Sequence, residues 1–202
     1  MITWALAWTN AKIVNEYLSF YNLIFIRFLL GFMSLIPFVF IFKNKFPRLM
    51  DFKYIILPSI LFLIYNIAFF KGTYYGLAGK GAILVTTLNP LFTVFIMSII
   101  NKKISKYDLI GVSLGIIGGI IIMDLYSIGL QGIFQSGNLY FIVCAISWGI
   151  MTVLINYAQK IINPYIFICL CYFITMIMTL PFISISEILN ANLDLRFYIN
   201  FF

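Results

Sequence analysis

Seven long apolar segments divide the chain, and each approaches the length of a bilayer crossing. A spanning helix needs about 20 apolar residues to cross roughly 30 Å of hydrocarbon. The pattern predicts helices over 2–17, 21–42, 53–71, 80–100, 107–125, 137–158 and 163–184. The first is the shortest, about 24 Å at 1.5 Å per residue. It starts at Met1 with no basic leader and no small-residue cleavage site, so it reads as a retained helix, or one clipped at its start, and not a signal peptide. The apolar runs do not alternate with period two, as lipid-facing barrel strands must. Composition agrees: 63% of residues are hydrophobic, 9% are charged and the mean hydropathy is +1.07. A soluble domain carries roughly a quarter charged residues, and no water-soluble globule of this size hides so much apolar side chain. The expected class is an all-α polytopic membrane protein.

The net charge of +7 does not point to nucleic acid, because no basic stripe interleaves with aromatics. In a membrane protein, Lys and Arg mark cytosolic loops. Lys43, Lys45, Arg48 and Lys53 lie between the second and third segments, Lys102, Lys103 and Lys106 between the fourth and fifth, and Lys160 between the sixth and seventh. A cytosolic N-terminus puts all eight on the cytosolic side. The other side receives Lys71, Lys80 and Arg196 with Asp124, Glu187 and Asp194. Residues 185–202 then form a polar tail on the outer side.

The chain echoes itself. "ALAW" at Ala5–Trp8 returns as "AISW" at Ala145–Trp148. "YNLIFIRFLLGFMSLIPF" at Tyr21–Phe38 aligns without gaps to "YIFICLCYFITMIMTLPF" at Tyr165–Phe182. Five helices separate the two starts, so an odd number inverts the second copy. The expected organisation is a first five-helix repeat over 1–128 and the start of a second over 137–184. Inverted repeats are typical of transporters whose solute site lies near the midplane. The plainer explanation is that apolar sequence resembles apolar sequence.

"WALAWTNAKIV" (Trp4–Val14) and "FYNLIFIRFLLG" (Phe20–Gly31) resemble the opening of EamA-type transporters of the drug/metabolite transporter superfamily. "YYGLAGKGAILVTTLNPLFTVFI" (Tyr74–Ile96) is similar to that family's junction of third and fourth helices, and "ISKYDLIGVSLGIIGGIII" (Ile104–Ile122) to its fifth helix. The resemblance implies ten helices in two inverted repeats and export or exchange of small metabolites. Against that pattern, seven helices leave the second repeat incomplete. Asn101 also stands where the family often has an acid.

Arg27 sits about five residues into the expected second helix, inside an apolar run. A charge in hydrocarbon costs several kcal/mol, so it faces a cavity, a partner or, by snorkelling, the headgroups. The resemblance places an arginine here, which favours the cavity. Its echo is Cys171, so the charge belongs to one half only. Lys12 also matches a family lysine, with snorkelling as the alternative. Glu16, one turn beyond Lys12, is a candidate partner for Lys12 or for Arg27.

Asn89-Pro90 interrupts the fourth helix, where Pro removes a backbone bond. Thr86, Thr87, Asn89 and Thr93 give that helix a polar stripe, suited to cavity lining or to interhelical hydrogen bonds. Gly111, Gly115 and Gly119 recur every fourth residue on the fifth helix, with Gly118 alongside, which permits close helix packing within the chain or against a second copy in a homodimer. Trp4, Trp8, Tyr65, Tyr74 and Trp148 are candidate liners of an aromatic cavity.

Enzyme chemistry finds little support. "GVSLG" at Gly111–Gly115 matches a nucleophile pattern, but Ser113 falls inside a helix and the chain has no His. "GLAGKG" at Gly76–Gly81 lacks phosphate-loop spacing and reads as a tight outer turn. Cys144, Cys169 and Cys171 lie in apolar runs with no metal-like spacing. No cofactor is implied. No buried carboxylate relay stands out, since all six acids fall near helix ends, in loops or in the tail. Two functions remain: a metabolite or amino-acid transporter in a bacterial inner membrane working by alternating access, or a truncated, non-transporting relative or assembly partner. The expected surroundings are a lipid bilayer and a small solute.

Overall fold

The structure, a computed structural model, describes residues 2–41, 46–102, 104–122, 129 and 137–201, the side chains of residues 2–5 and 122 excepted. Lys43, Lys45, Lys103, Asp124 and the side chain of Trp4 lie outside the described residues. Among the described residues every regular element is helical. The long helices are α1 (Ile2–Val14), α2 (Phe20–Ile41), α3 (Lys53–Tyr75), α4 (Ala78–Asn101), α5 (Lys106–Ile122), α6 (Asn138–Ala158) and α7 (Pro164–Thr179). Two short helices follow, α8 (Ile185–Asn190) and α9 (Leu195–Phe201). In lipid an α-helix satisfies its backbone groups within its own segment.

Among the described residues, five helices are long and apolar enough to cross a membrane: α2, α3 with the 3₁₀ turn before it, α4, α6, and α7 with the 3₁₀ turn after it. The expected seven are thus five by length. α1 has 13 residues, about 20 Å, and α5 is described for 17. α1 ends at Val14 and not at Tyr17. The next residue, Asn15, keeps the helical bond from its N to Ala11 O and sends its side chain across the bundle, where Nδ2 donates to Phe70 O and to Thr73 Oγ1 on α3, both at 3.0 Å. Glu16 N and Tyr17 N then close tighter turns on Ile13 O and Val14 O.

Side-chain contacts give the helix directions. Gly72 and Tyr65 of α3 meet Phe141 and Trp148 of α6, so α3 and α6 run antiparallel. Trp8 meets Phe69 while Asn15 meets Thr73, so α1 is parallel to α3. Hence α1 and α6 point in opposite directions. The echoed segments α2 and α7 also run antiparallel and touch: Tyr21 stacks on Phe182, and Phe28 meets Tyr172, the residue at its matching position, at 5.1 Å. A side chain at Gly31 would strike the Tyr172 ring. At the end of this seam Asn22, fully buried, exchanges two hydrogen bonds with Ser184 (Ser184 N to Oδ1 at 3.0 Å, Nδ2 to Ser184 O at 3.2 Å).

α3 is the central helix and packs on α1, α2, α6 and α7. Its buried polar groups are satisfied within the helix: Ser59, Asn66 and Thr73 donate to Ile55 O, Phe62 O and Phe69 O. The α3–α4 corner, Gly76–Leu77, accepts the start of α6. A Cβ added to Gly72 or Gly81 would lie 2.4 Å from the Phe141 ring, which is wholly buried. Gly137, at φ +96°, rests its backbone on Gly76. Small residues let helices approach where lipid supplies no hydrophobic drive.

The tail carries the short helices α8 and α9. Phe197 of α9 is buried and its ring meets Tyr17 at 5.5 Å. Asp194 caps α9, accepting from Phe197 N at 2.9 Å. That bond first, and the Tyr17 hydroxyl after it, hold the Asp194 carboxyl below the usual carboxylate range. Lost solvation first, and Asp194 after it, push the Tyr17 phenol up.

Two predictions follow from this packing. Gly72→Ala or Gly81→Ala overpacks Phe141 and lowers stability by about 1–3 kcal/mol, read as a lower unfolding temperature in detergent. Gly79→Ala, with open space around it, leaves that temperature unchanged or higher. For α9, a depressed Asp194 pKa means the cap's contribution is complete above about pH 4 and shrinks as pH falls towards the folded value. Spin labels at Leu6→Cys and Leu195→Cys give one narrow distance at neutral pH and a broader distribution in acid. A width that ignores pH removes Asp194 from the account.

Candidate solute-binding site

Arg27 lies seven residues into α2, about 10 Å from its start. Its side chain crosses to α3. Nη1 donates to Asn66 Oδ1 at 3.5 Å, and the guanidinium carbon lies 5.8 Å from the centre of the Phe69 ring. Those contacts sit six and nine residues before the end of α3, or about 9–13 Å along it. The guanidinium therefore runs level across the bundle instead of rising to a helix end. Asn66 is buried and its amide nitrogen is already held by Phe62 O, which aims its oxygen at Arg27. Arg27 itself is exposed, and it opens onto a cavity of about 240 Å³. Ala7, Asn10, Ala11 and Val14 of α1 form one wall, Phe69 and Phe70 of α3 another, and Asn200 and Phe201 of α9 the third.

The other expected site residues do not converge on this cavity. Glu16 pairs with neither Lys12 nor Arg27. It meets Arg196 at 3.7 Å, because α1 has ended before Glu16 and the i+4 register with Lys12 is lost. Both partners are more than half exposed, where such a pair is worth about 0–1 kcal/mol. Lys12 Nζ donates to Gly76 O at 3.3 Å and lines a separate hollow with Lys80 and Asn138. Thr86 and Pro90 line a groove between α4 and α5 with Gly111, Gly115 and Gly119. The Thr86 hydroxyl donates to Ala82 O and Ile83 O, and the Thr93 hydroxyl to Asn89 O, so both donors are spent on their own helix. Asn89 Oδ1 is buried without a partner among the described residues. Gly119 receives Thr87, Gly115 makes ordinary contact with Leu91, and Gly111 faces open space.

Trp8 and Trp148, the echoed tryptophans, are packing groups on α3. Trp8 is buried, with its ring 4.6 Å from Phe69 and 5.6 Å from Phe141. Trp148 lies 4.9 Å from Tyr65, and Tyr65 stacks on Phe69 at 6.0 Å. An aromatic file thus joins α1 to α6 through α3, with Arg27 over its Phe69 member.

Sequence reasoning missed Asn66, which bonds Arg27, and Asn10 and Asn200, which line its cavity. Asn66 was signalled as a lone amide inside "FLIYNIAFF". It also missed Asn22 and Glu187. The Glu187 carboxylate accepts from Ser19 N and, at 2.8 Å, from Asn22 Nδ2, joining α8 to the start of α2. Ser113 donates to Leu109 O inside α5, as a helical serine does. Cys144 and Cys171 donate to Tyr65 O and Ile55 O across helix contacts.

The arrangement offers a cation on a membrane-crossing helix, facing a small cavity with neutral polar and aromatic walls. Among curated proteins and among solved structures, nothing matches this chain. The EamA-like transporter family matches residues 1–124. That is more than half of the 202 residues, and it takes in α1, α2, α3, α4 and α5, with Arg27 and most of its cavity. The chain belongs to the EamA-like transporter family.

Proposed function

We propose that the chain moves a small organic metabolite or amino acid across a bacterial inner membrane by alternating access, with Arg27 at the solute site. The carrying observation is the Arg27 side chain, held level within the bundle and open to a cavity. Intramembrane charges persist where they serve a solute path or a gate.

The inverted-repeat reading supports alternating access. α2 and α7 meet antiparallel, with Phe28 against Tyr172. Rocking of one half against the other about such a seam is the common transport motion. Orientation follows from charge. At one end of the bundle lie Arg48, Lys53, Lys102, Lys106 and Lys160, against Asp51 and Asp108. At the other end lie Lys12, Lys71, Lys80 and Arg196, against Glu16, Glu187 and Asp194. The sequence adds Lys43, Lys45 and Lys103 to the loops of the first end. By the positive-inside rule that end is cytosolic, and so is the N-terminus. The Arg27 cavity then opens nearer the outer face.

Comparing the medium of cells overexpressing the full chain with that of cells carrying Arg27→Gln tests this reading. At equal membrane levels, at least one organic metabolite leaves the first cells faster by about tenfold or more, the size of losing a charged hydrogen bond. Identical efflux profiles contradict the placing of Arg27 at the solute site, and profiles that also equal those of cells without the chain contradict transport and favour the assembly-partner reading.

A further inference from the structure

We propose that the Arg27 cavity is an anion site, taking a small organic carboxylate with an apolar body in preference to a zwitterion or a cation. This rests on the reading of that cavity as the solute site.

Donor supply comes first. A guanidinium has five N–H donors and no acceptor. Among the described residues Arg27 spends one, on Asn66 at a long 3.5 Å. The Phe69 face beneath the group restrains it without using a donor. The remaining donors form a planar fork suited to a carboxylate.

Charge balance comes second. The polar walls are Asn10 and Asn200, both neutral, and no Asp or Glu lines the cavity among the described residues. The three described acids at this end of the bundle are each engaged elsewhere. Glu16 faces Arg196, Glu187 holds Ser19 N and Asn22, and Asp194 caps α9. No carboxylate in the described lining therefore answers an ammonium group. An amino acid would bring one, and a cation would bring it against Arg27. Size and surface come third. The volume of about 240 Å³ falls below the roughly 300–1,000 Å³ of drug-sized pockets. Phe69, Phe70 and Phe201 offer rings for an apolar body.

A phosphate headgroup of an anionic lipid presents the same charge, so the test separates the two sources. The full chain is placed in nanodiscs of phosphatidylcholine, and calorimetry compares three ligands of one shape: hydrocinnamate, phenylalanine and phenethylamine. Hydrocinnamate is expected to bind tighter than the other two by at least about tenfold, which is about 1.4 kcal/mol. Arg27→Gln abolishes that preference. Asn10→Asp, which places a carboxylate in the same cavity, shifts preference towards the amine, and it keeps the test decisive if the Arg27 variant does not fold. Equal binding of the three ligands, binding of none, or full carboxylate affinity in Arg27→Gln overturns the proposal. Loss of hydrocinnamate binding when phosphatidylglycerol is added overturns it too, in favour of a lipid phosphate. Carboxylate binding without transport sinks the transport reading alone. A cationic solute in the efflux comparison sinks the anion site alone.

Discussion

A guanidinium on a spanning helix has to be solvated by something other than lipid, and much of this bundle is arranged around that demand. Arg27 finds one amide oxygen, one aromatic face and a cavity. Its neighbours on α3 are held so that they can serve it. Asn66 is fixed by its bond to Phe62 O, and Phe69 stands in an aromatic file braced by Trp8 and Tyr65. α3 can occupy the centre because its own polar groups are satisfied along its own backbone. The cost of an unpaired amide in this setting, about 1–3 kcal/mol, keeps such groups rare and makes the Asn89 oxygen on α4, unanswered among the described residues, an exception.

Two kinds of contact hold the frame around this centre. One is close approach. Phe141 enters a space that exists only because Gly72 and Gly81 have no side chains, and Gly137 lies on Gly76. The other is polar closure at one end of the bundle. Asn22 locks onto Ser184 while Glu187 reaches back to the start of α2, so the end of α7 and the start of α2 are tied together. α9 packs on α1, with the buried Phe197 ring against Tyr17 and the exposed Arg196 against Glu16. It supplies a wall of the Arg27 cavity.

Much of the frame was legible in the sequence, and the reasons are local. The seven long helices follow from apolar run length, and α2 and α7 meet antiparallel at one pair of matched positions, Phe28 and Tyr172. The site was legible in part. Arg27 announces itself as a charge in an apolar run, but its partners do not. Asn66 lies 39 residues away on another helix. Glu16 meets Arg196 and not Lys12 or Arg27, because the chain tightens into turns after Val14, an event with no signal near it in sequence. Arg196, the residue Glu16 does meet, sits in a stretch that reads as a plain polar tail. Trp8 and Trp148 look like cavity liners by type; in the structure Trp8 is buried against Phe69 and Phe141, and the half-buried Trp148 lies against Tyr65.

The claim that most needs a direct reading is that the space beside Arg27 is open to solute from the outer face. Asn10 lines that space, and the three native cysteines are all buried, so a cysteine at Asn10 reports on it cleanly. In intact membranes, Asn10→Cys is expected to react with an impermeant maleimide added from outside, and to react more slowly when hydrocinnamate is present. A cysteine there that stays unlabelled, or is labelled at one rate with and without the carboxylate, contradicts the account.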